Sequence, residues 1–239
     1  MSRDWPVSQA VEADAPGMAS LFVSAWVSPF SQLQLGDIDP NESATAMATR
    51  IRKVLKEQQD SVYTVIRNPD TKEVVAVAGW TLPTDEEAED QESPEDREER
   101  QMFETELYLK SMPEPSNTNL IREFMTGLRR LKTQILQGSK HYYLNNLATH
   151  PDYRGRGLAS YLIENMVHRA DADNTLMYLE TSKDNPAVRL YKRFGFEEQG
   201  KWVVEDLSKY ASKEEIERCG GITSHTHVAY SRKPRRSLE

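Results

Sequence analysis

Two periods of apolar spacing run through this chain, and the changes between them mark its elements. Leu158, Leu162 and Met166, four residues apart, lay one stripe along a helix over 157–170, and a longer stripe from Leu120 through Leu136 ends at Gly138. Nearer the start, Leu21, Phe22, Ala25 and Trp26 suit a helix capped by Asp14 with Pro16 in its first turn; a loop with Pro29, Gly36 and Pro40 follows. Asn41 or Ser43 then opens a helix through Ile51, Val54 and Leu55. Strand-like runs lie between: 7–11, then 61–66 and 73–82 as a hairpin around Asn68-Pro69-Asp70. From residue 142 the order is strand 142–149, helix 157–170, strand 175–182, helix 185–194 and strand 196–205, with a helix over 208–218 and a last strand over 223–231. That βαβ rhythm predicts an α/β fold with one parallel or splayed central pair.

The junction of strand 142–149 and the helix after it carries the chemistry. His150-Pro151-Asp152-Tyr153 reads as a turn, and Arg154-Gly155-Arg156-Gly157-Leu158-Ala159 as a loop opening directly into the helix. Its glycines permit tight turning and close approach, and unpaired first-turn N–H groups point out with the positive end of the dipole. Arg154 and Arg156 add full charges, so a phosphate or pyrophosphate is the natural guest. A P-loop needs Gly-Lys-Ser/Thr, which is absent. A dinucleotide fingerprint, and with it a nicotinamide-dependent oxidoreductase, is closer: Gly155-x-Gly157-x-x-Ser160 keeps two glycines, and Glu180 lies about 20 residues beyond. Ser160 in the third place and the proline turn before Gly155 count against it.

Charge and cysteine content narrow the class. The formal charge is −8, and residues 85–100 hold ten acids against two arginines, so that block alone accounts for it. Such a run reads as a solvated, mobile insertion over 84–100 that draws cationic amines if it acts at all. The basic residues within 231–239 (Arg232, Lys233, Arg235, Arg236) read as a solvated tail rather than a nucleic-acid patch. One cysteine, Cys219, allows no internal disulfide and implies a reducing, cytoplasmic setting; no signal core or membrane-length apolar run is present. His225 and His227 share a strand face without a third ligand in sequence, so no metal is expected.

The motifs resemble a known family. Arg154-x-x-Gly157-x-Ala159 is similar to the Q/R-x-x-G-x-G/A pyrophosphate motif of the GNAT acetyltransferase superfamily, led in by Leu147-Ala148-Thr149-His150-Pro151. Asn185-Pro186-Ala187, Leu190-Tyr191 and Gly195-Phe196 resemble its second signature, and the two occur in order with one strand between. The resemblance covers about residues 141–206. It implies a single GNAT-type domain over 1–239, a mixed sheet splayed around acetyl-coenzyme A and flanked by helices. It also implies transfer of an acetyl group to a primary amine, most readily of a small molecule, by direct attack in a ternary complex, with neither nucleic acid nor membrane as partner and a monomer or homodimer as the working unit. A non-catalytic acyl-coenzyme A sensor, or a protein lysine or N-terminal acetyltransferase, is the alternative on the same fold.

By the same resemblance, Leu147, Ala148 and Thr149 hold the pantetheine through their backbone, Arg154 to Ala159 hold the pyrophosphate, and Asn185 contacts the cofactor arm. Tyr191 protonates the departing thiolate. Glu180, sharing a strand face with Tyr178 and Ser182, is the candidate base, and a partly dry cleft raises its pKa. Asn145 and Asn146 lie on opposite faces unless a bulge intervenes, and suit holding a water or the acceptor. Residues 26–50, Trp26 and Trp80 are candidates for lining the acceptor site.

Overall fold

The computed structural model describes residues 5–25, 27–57, 60–83 and 94–235. Seven strands, β1 (Val7–Gln9), β2 (Ser61–Arg67), β3 (Val74–Thr81), β4 (His141–Thr149), β5 (Leu176–Ser182), β6 (Glu197–Val204) and β7 (His225–Arg232), form one sheet in the order β1-β2-β3-β4-β5-β7-β6. Every neighbouring pair is antiparallel except β4–β5, which is parallel. The helices are α1 (Ala15–Ala25), α2 (Pro29–Leu35), α3 (Pro40–Glu57), α4 (Pro94–Lys110), α5 (Thr118–Leu136), α6 (Leu158–Ala172), α7 (Val188–Arg193) and α8 (Lys213–Arg218).

Alternation along the strands sends side chains to two cores. On one face, Leu158, Leu162, Ile163 and Met166 of α6 and Tyr191 of α7 pack on Ala76, Trp80, Leu144, Leu179 and Val228. The opposite face is shared. Met18 and Phe22 of α1 with Ile51 and Leu55 of α3 cover Val65, Val77 and Ala148, while Leu131 and Leu136 of α5 cover Tyr178 and Ala229. No helix among the described residues is long and apolar enough to cross a membrane.

Several expectations are corrected. The loop before Pro40 contains α2, because Ser28 accepts from the amide of Ser31 and Pro29 takes the first helical position. Asp14 does not act as a simple helix cap: its carboxylate accepts from the Val11 amide at 2.7 Å and pairs with Arg67, at 2.9 Å to Nε. Of the expected acidic insertion, residues 84–93 lie outside the described residues, whereas 94–100 open α4. Pro94 stands at the first position, where its missing N–H would be unpaired in any case. Thr105 and Leu109 then bury one side of the helix. The helix expected over 208–218 is a turn at Leu207–Lys209 followed by α8.

The basic tail is also corrected. Arg232 ends β7 with 2 % of its surface exposed. Its guanidinium donates to both oxygens of Asp171 at 2.7 and 2.8 Å and to the Phe194 carbonyl at 2.9 Å, a fork geometry that a planar cation satisfies. Residues 236–239 lie outside the described residues.

Candidate active site

The parallel pair β4–β5 is joined only over His141–Leu144 and Leu176–Leu179. Beyond that the strands part, leaving Asn145–Thr149 and Glu180–Ser182 without each other as partners. The cause is local. Gly79 of β3 pairs with Asn146 and Trp80 with Leu144, so Asn145 is an extra residue, and such a bulge bends its strand. Asn145 donates to Thr81 Oγ1 at 2.7 Å from the bulge, and Asn146 sits 3.5 Å from the Tyr63 hydroxyl. Alternate residues of β4 past the bulge turn backbone N–H and C=O groups into the gap.

At the wide end of the gap lies the glycine loop. Gly155 and Gly157 have φ of +75° and +81°, a left-handed conformation that side chains resist, and a Cβ at either would meet only open space. The amides of Gly155 through Ser160 make no hydrogen bond among the described residues, and Gly157 caps α6 without any side-chain acceptor. Arg154 and Arg156 are exposed beside them, Arg156 resting 4.9 Å over the Tyr153 ring and Arg154 Nε 3.4 Å from the Thr149 carbonyl. Leu158 is buried under the sheet and Ala159 half-buried, anchoring the first turn. Free amides and a helix dipole at an open loop, with two exposed arginines beside them, fit a pyrophosphate. Leu147 and Thr149 are half-buried and Ala148 buried along the strand edge leading to it.

Tyr191 belongs to the α6 face, 4 % exposed, its ring edge-on to Phe196 at 6.1 Å. Burial pushes its phenol above the ordinary value of 10, so it stays protonated at neutral pH. Its hydroxyl makes no hydrogen bond among the described residues and is not one of the sealed, unpaired polar atoms. Asn185 spends its side chain locally, donating to Thr181 Oγ1 at 2.6 Å and accepting from the Ala187 amide at 2.9 Å. It therefore shapes the turn that starts α7.

Glu180 lies on the other face. Tyr143 donates to Oε2 at 2.7 Å and Tyr178 to Oε1 at 2.8 Å. Burial raises the Glu180 pKa, opposed by these two bonds and by the positive charge of Lys132. Both tyrosines are pushed up by burial and by the carboxylate, which keeps them donors. Tyr178 was visible from the alternation of β5. Tyr143 was not, because only the parallel register sets it opposite Tyr178. Lys132, 4.3 Å over the Tyr143 ring, belongs to a helix whose placement the sequence does not state. Trp80 is fully buried under α6, away from an acceptor-facing role, and Trp26 lies outside the described residues. His150 ends the strand as a turn residue, its Nδ1 accepting from the Asp152 amide at 3.2 Å. Among the described residues no cluster of three or more His, Cys, Asp or Glu could hold a metal.

A sheet splayed at its one parallel pair, with an anion cradle at the open end, defines an acyl-coenzyme A N-acyltransferase fold. Residues 80–196 match the Acetyltransferase (GNAT) family. A histone acetyltransferase HPA2 and related acetyltransferase from Corynebacterium glutamicum superposes with a TM-score of 0.55 at 19 % identity, over 98 % of this chain and 99 % of that one. NAA60 of Arabidopsis thaliana in complex with a bisubstrate analogue gives 0.55 at 14 % identity, over 98 % and 99 %; its complex with acetyl-coenzyme A gives 0.52 at 12 %, over 96 % and 98 %. The mouse Cysteine-rich protein 2-binding protein is 29 % identical over 75 residues, which is 31 % of this chain and only 9 % of that relative's length. Residues 80–196 thus carry the GNAT family match, on a chain whose fold is that of the GNAT acyl-coenzyme A N-acyltransferases. The superfamily's cofactor is acetyl-coenzyme A.

Proposed function

We propose that the protein transfers the acetyl group of acetyl-coenzyme A to a primary amine of a small molecule, by direct attack in a ternary complex. One observation carries the reading: the anion cradle and Tyr191 belong to one face of the sheet, Glu180 to the other, and the sheet is open between β4 and β5. Donor and acceptor can then meet through the gap without sharing a pocket. When bound, acetyl-coenzyme A supplies the activated acetyl thioester. The amides of Gly155 to Ala159, with Arg154 and Arg156, hold its diphosphate, and the free edge of β4 at Leu147 to Thr149 pairs with its arm. An amide near Leu147 offers a hydrogen bond to the carbonyl oxygen, where negative charge develops.

Glu180 takes the proton from the attacking nitrogen, directly or through a water, and its raised pKa makes it a stronger base than a solvated carboxylate. Tyr143 and Tyr178 each donate to one of its oxygens, which fixes the carboxylate and leaves each oxygen a further lone pair to accept with. Tyr191 gives its proton to the leaving sulfur. A buried phenol is a weaker acid than the usual thiol, whose pKa is about 8.5, so this step runs uphill and the thiolate can also leave unassisted. Cys219 is buried beside Leu207 and Ile216, which favours direct attack over an acyl-cysteine.

The test is thiol release from acetyl-coenzyme A with a panel of amines. Tyr191→Phe is expected to slow turnover by roughly 10²-fold while cofactor affinity holds. Binding of acetyl-coenzyme A without turnover of any amine would instead identify an acyl-coenzyme A sensor.

A further inference from the structure

Resting on that reading and extending its acceptor side, we infer that Phe124 with the His225–His227 pair is a binding subsite for an aromatic ring carried by the acceptor amine on a short linker. The wall is built by an excursion of the chain. β3 and β4 are antiparallel neighbours that a tight hairpin could join, yet residues 82–140 intervene and deliver α5 onto the Glu180 face. There α5 sets the Phe124 ring 4.7 Å from His227 at 79° and 5.9 Å from His225 at 65°. Phe30 stacks on His225 at 3.6 Å and 4° and meets Phe124 edge-on at 5.1 Å. Phe30 is buried, but Phe124, His225 and His227 are only half-buried, so the cluster still offers surface.

The cluster adjoins the carboxylate. His227 is the register partner of Ser182, which shares the face of Glu180 two residues before it. A diagonal neighbour of this kind lies roughly 7 Å away, the reach of a two- or three-atom linker between a ring and an amine. Its chemistry suits a ring as well. The imidazoles hydrogen-bond each other, His225 Nε2 to His227 Nδ1 at 2.8 Å, which uses polar capacity internally. Burial lowers both, His225 to about 4 and His227 to about 3, so neither is charged at neutral pH. An uncharged wall does not repel an ammonium approaching Glu180, and phenyl and imidazole offer edges and faces to a third ring.

The protein is assayed with 2-phenylethylamine and ethanolamine, both for acetyl transfer and for calorimetric binding in the presence of coenzyme A. The expected result is a KM and Kd at least tenfold lower for 2-phenylethylamine. Phe124→Ala should raise that amine's KM about tenfold and leave ethanolamine and acetyl-coenzyme A affinity nearly unchanged, the assays being run well below the melting temperature that its lost ring contacts lower. Phe124→Leu, which keeps apolar volume, should fall between, and His227→Gln should weaken the same amine alone. Equal use of both amines, or equal losses in the variants, overturns the subsite while leaving acetyl transfer intact. Selective, Phe124-dependent binding without turnover keeps the subsite and sinks the transferase reading. Absence of both sinks both.

Discussion

Gly157 is where a single substitution separates the binding function from the fold. Its φ is +81° and its added Cβ would touch nothing, so Gly157→Ala introduces no clash and acts only through the backbone. A left-handed non-glycine residue costs about 1–2 kcal/mol. The amides on either side keep their present direction only by carrying that strain, so the binding-competent loop becomes scarcer by a factor of about 5–30 and affinity for acetyl-coenzyme A should weaken by the same factor. Gly157→Val, branched at Cβ, should reduce binding below detection. The same 1–2 kcal/mol out of a typical stability of about 5–15 leaves the protein folded. Gly138 supplies the control: its φ is +82°, its Cβ would also meet open space, and it sits between α5 and β4. Gly138→Ala should lose as much stability and no affinity. Isothermal titration with acetyl-coenzyme A, paired with thermal melts of each variant, reads both quantities. Wild-type affinity in Gly157→Ala, or an equal loss in Gly138→Ala, would refute the role given to these amides.

Two further outcomes follow from the geometry. Because burial raises the Glu180 pKa and the base must be ionised, kcat/KM should climb with pH through a window above the ordinary carboxylate value of 4.5, and Glu180→Gln should remove that limb. An acceptor of low amine pKa keeps its own titration out of the profile, and an unchanged limb in the variant would assign it to another group. Arg232→Met leaves Asp171 and the Phe194 carbonyl without their cation and should cost about 3 kcal/mol in denaturant unfolding. A loss under about 0.5 kcal/mol, typical of surface sites, would mean that the pair is not structural.

The anion loop was legible because everything it needs is local. Two glycines, two arginines and the start of an apolar helix stripe lie within a dozen residues, and backbone preference alone gives the amides their direction. The helix at 94–110 was not legible, since its opening turns are acid-rich and its place is set by contacts distant in sequence, with α5 through Arg122 and Glu106 at 2.8 Å and Arg129 and Thr105 at 2.7 Å. Arg232 misled in the opposite sense. A cation among cations reads as solvated, and its burial depends on Asp171, 61 residues away.

By itself, then, the chain order of apolar stripes set out the strands and α1, α3, α5 and α6, though not α2 or α4, and the 154–159 spacing set out a glycine and arginine loop at a helix start, because both are governed by interactions between near neighbours. Tertiary structure alone decided the bulge at Asn145 that parts β4 from β5, the tyrosine pair that grips Glu180, and the face on which α5 lays Phe124 against the histidines. Those depend on which strands pair and in what register, and a one-residue slip of register would turn each of these side chains to the opposite face.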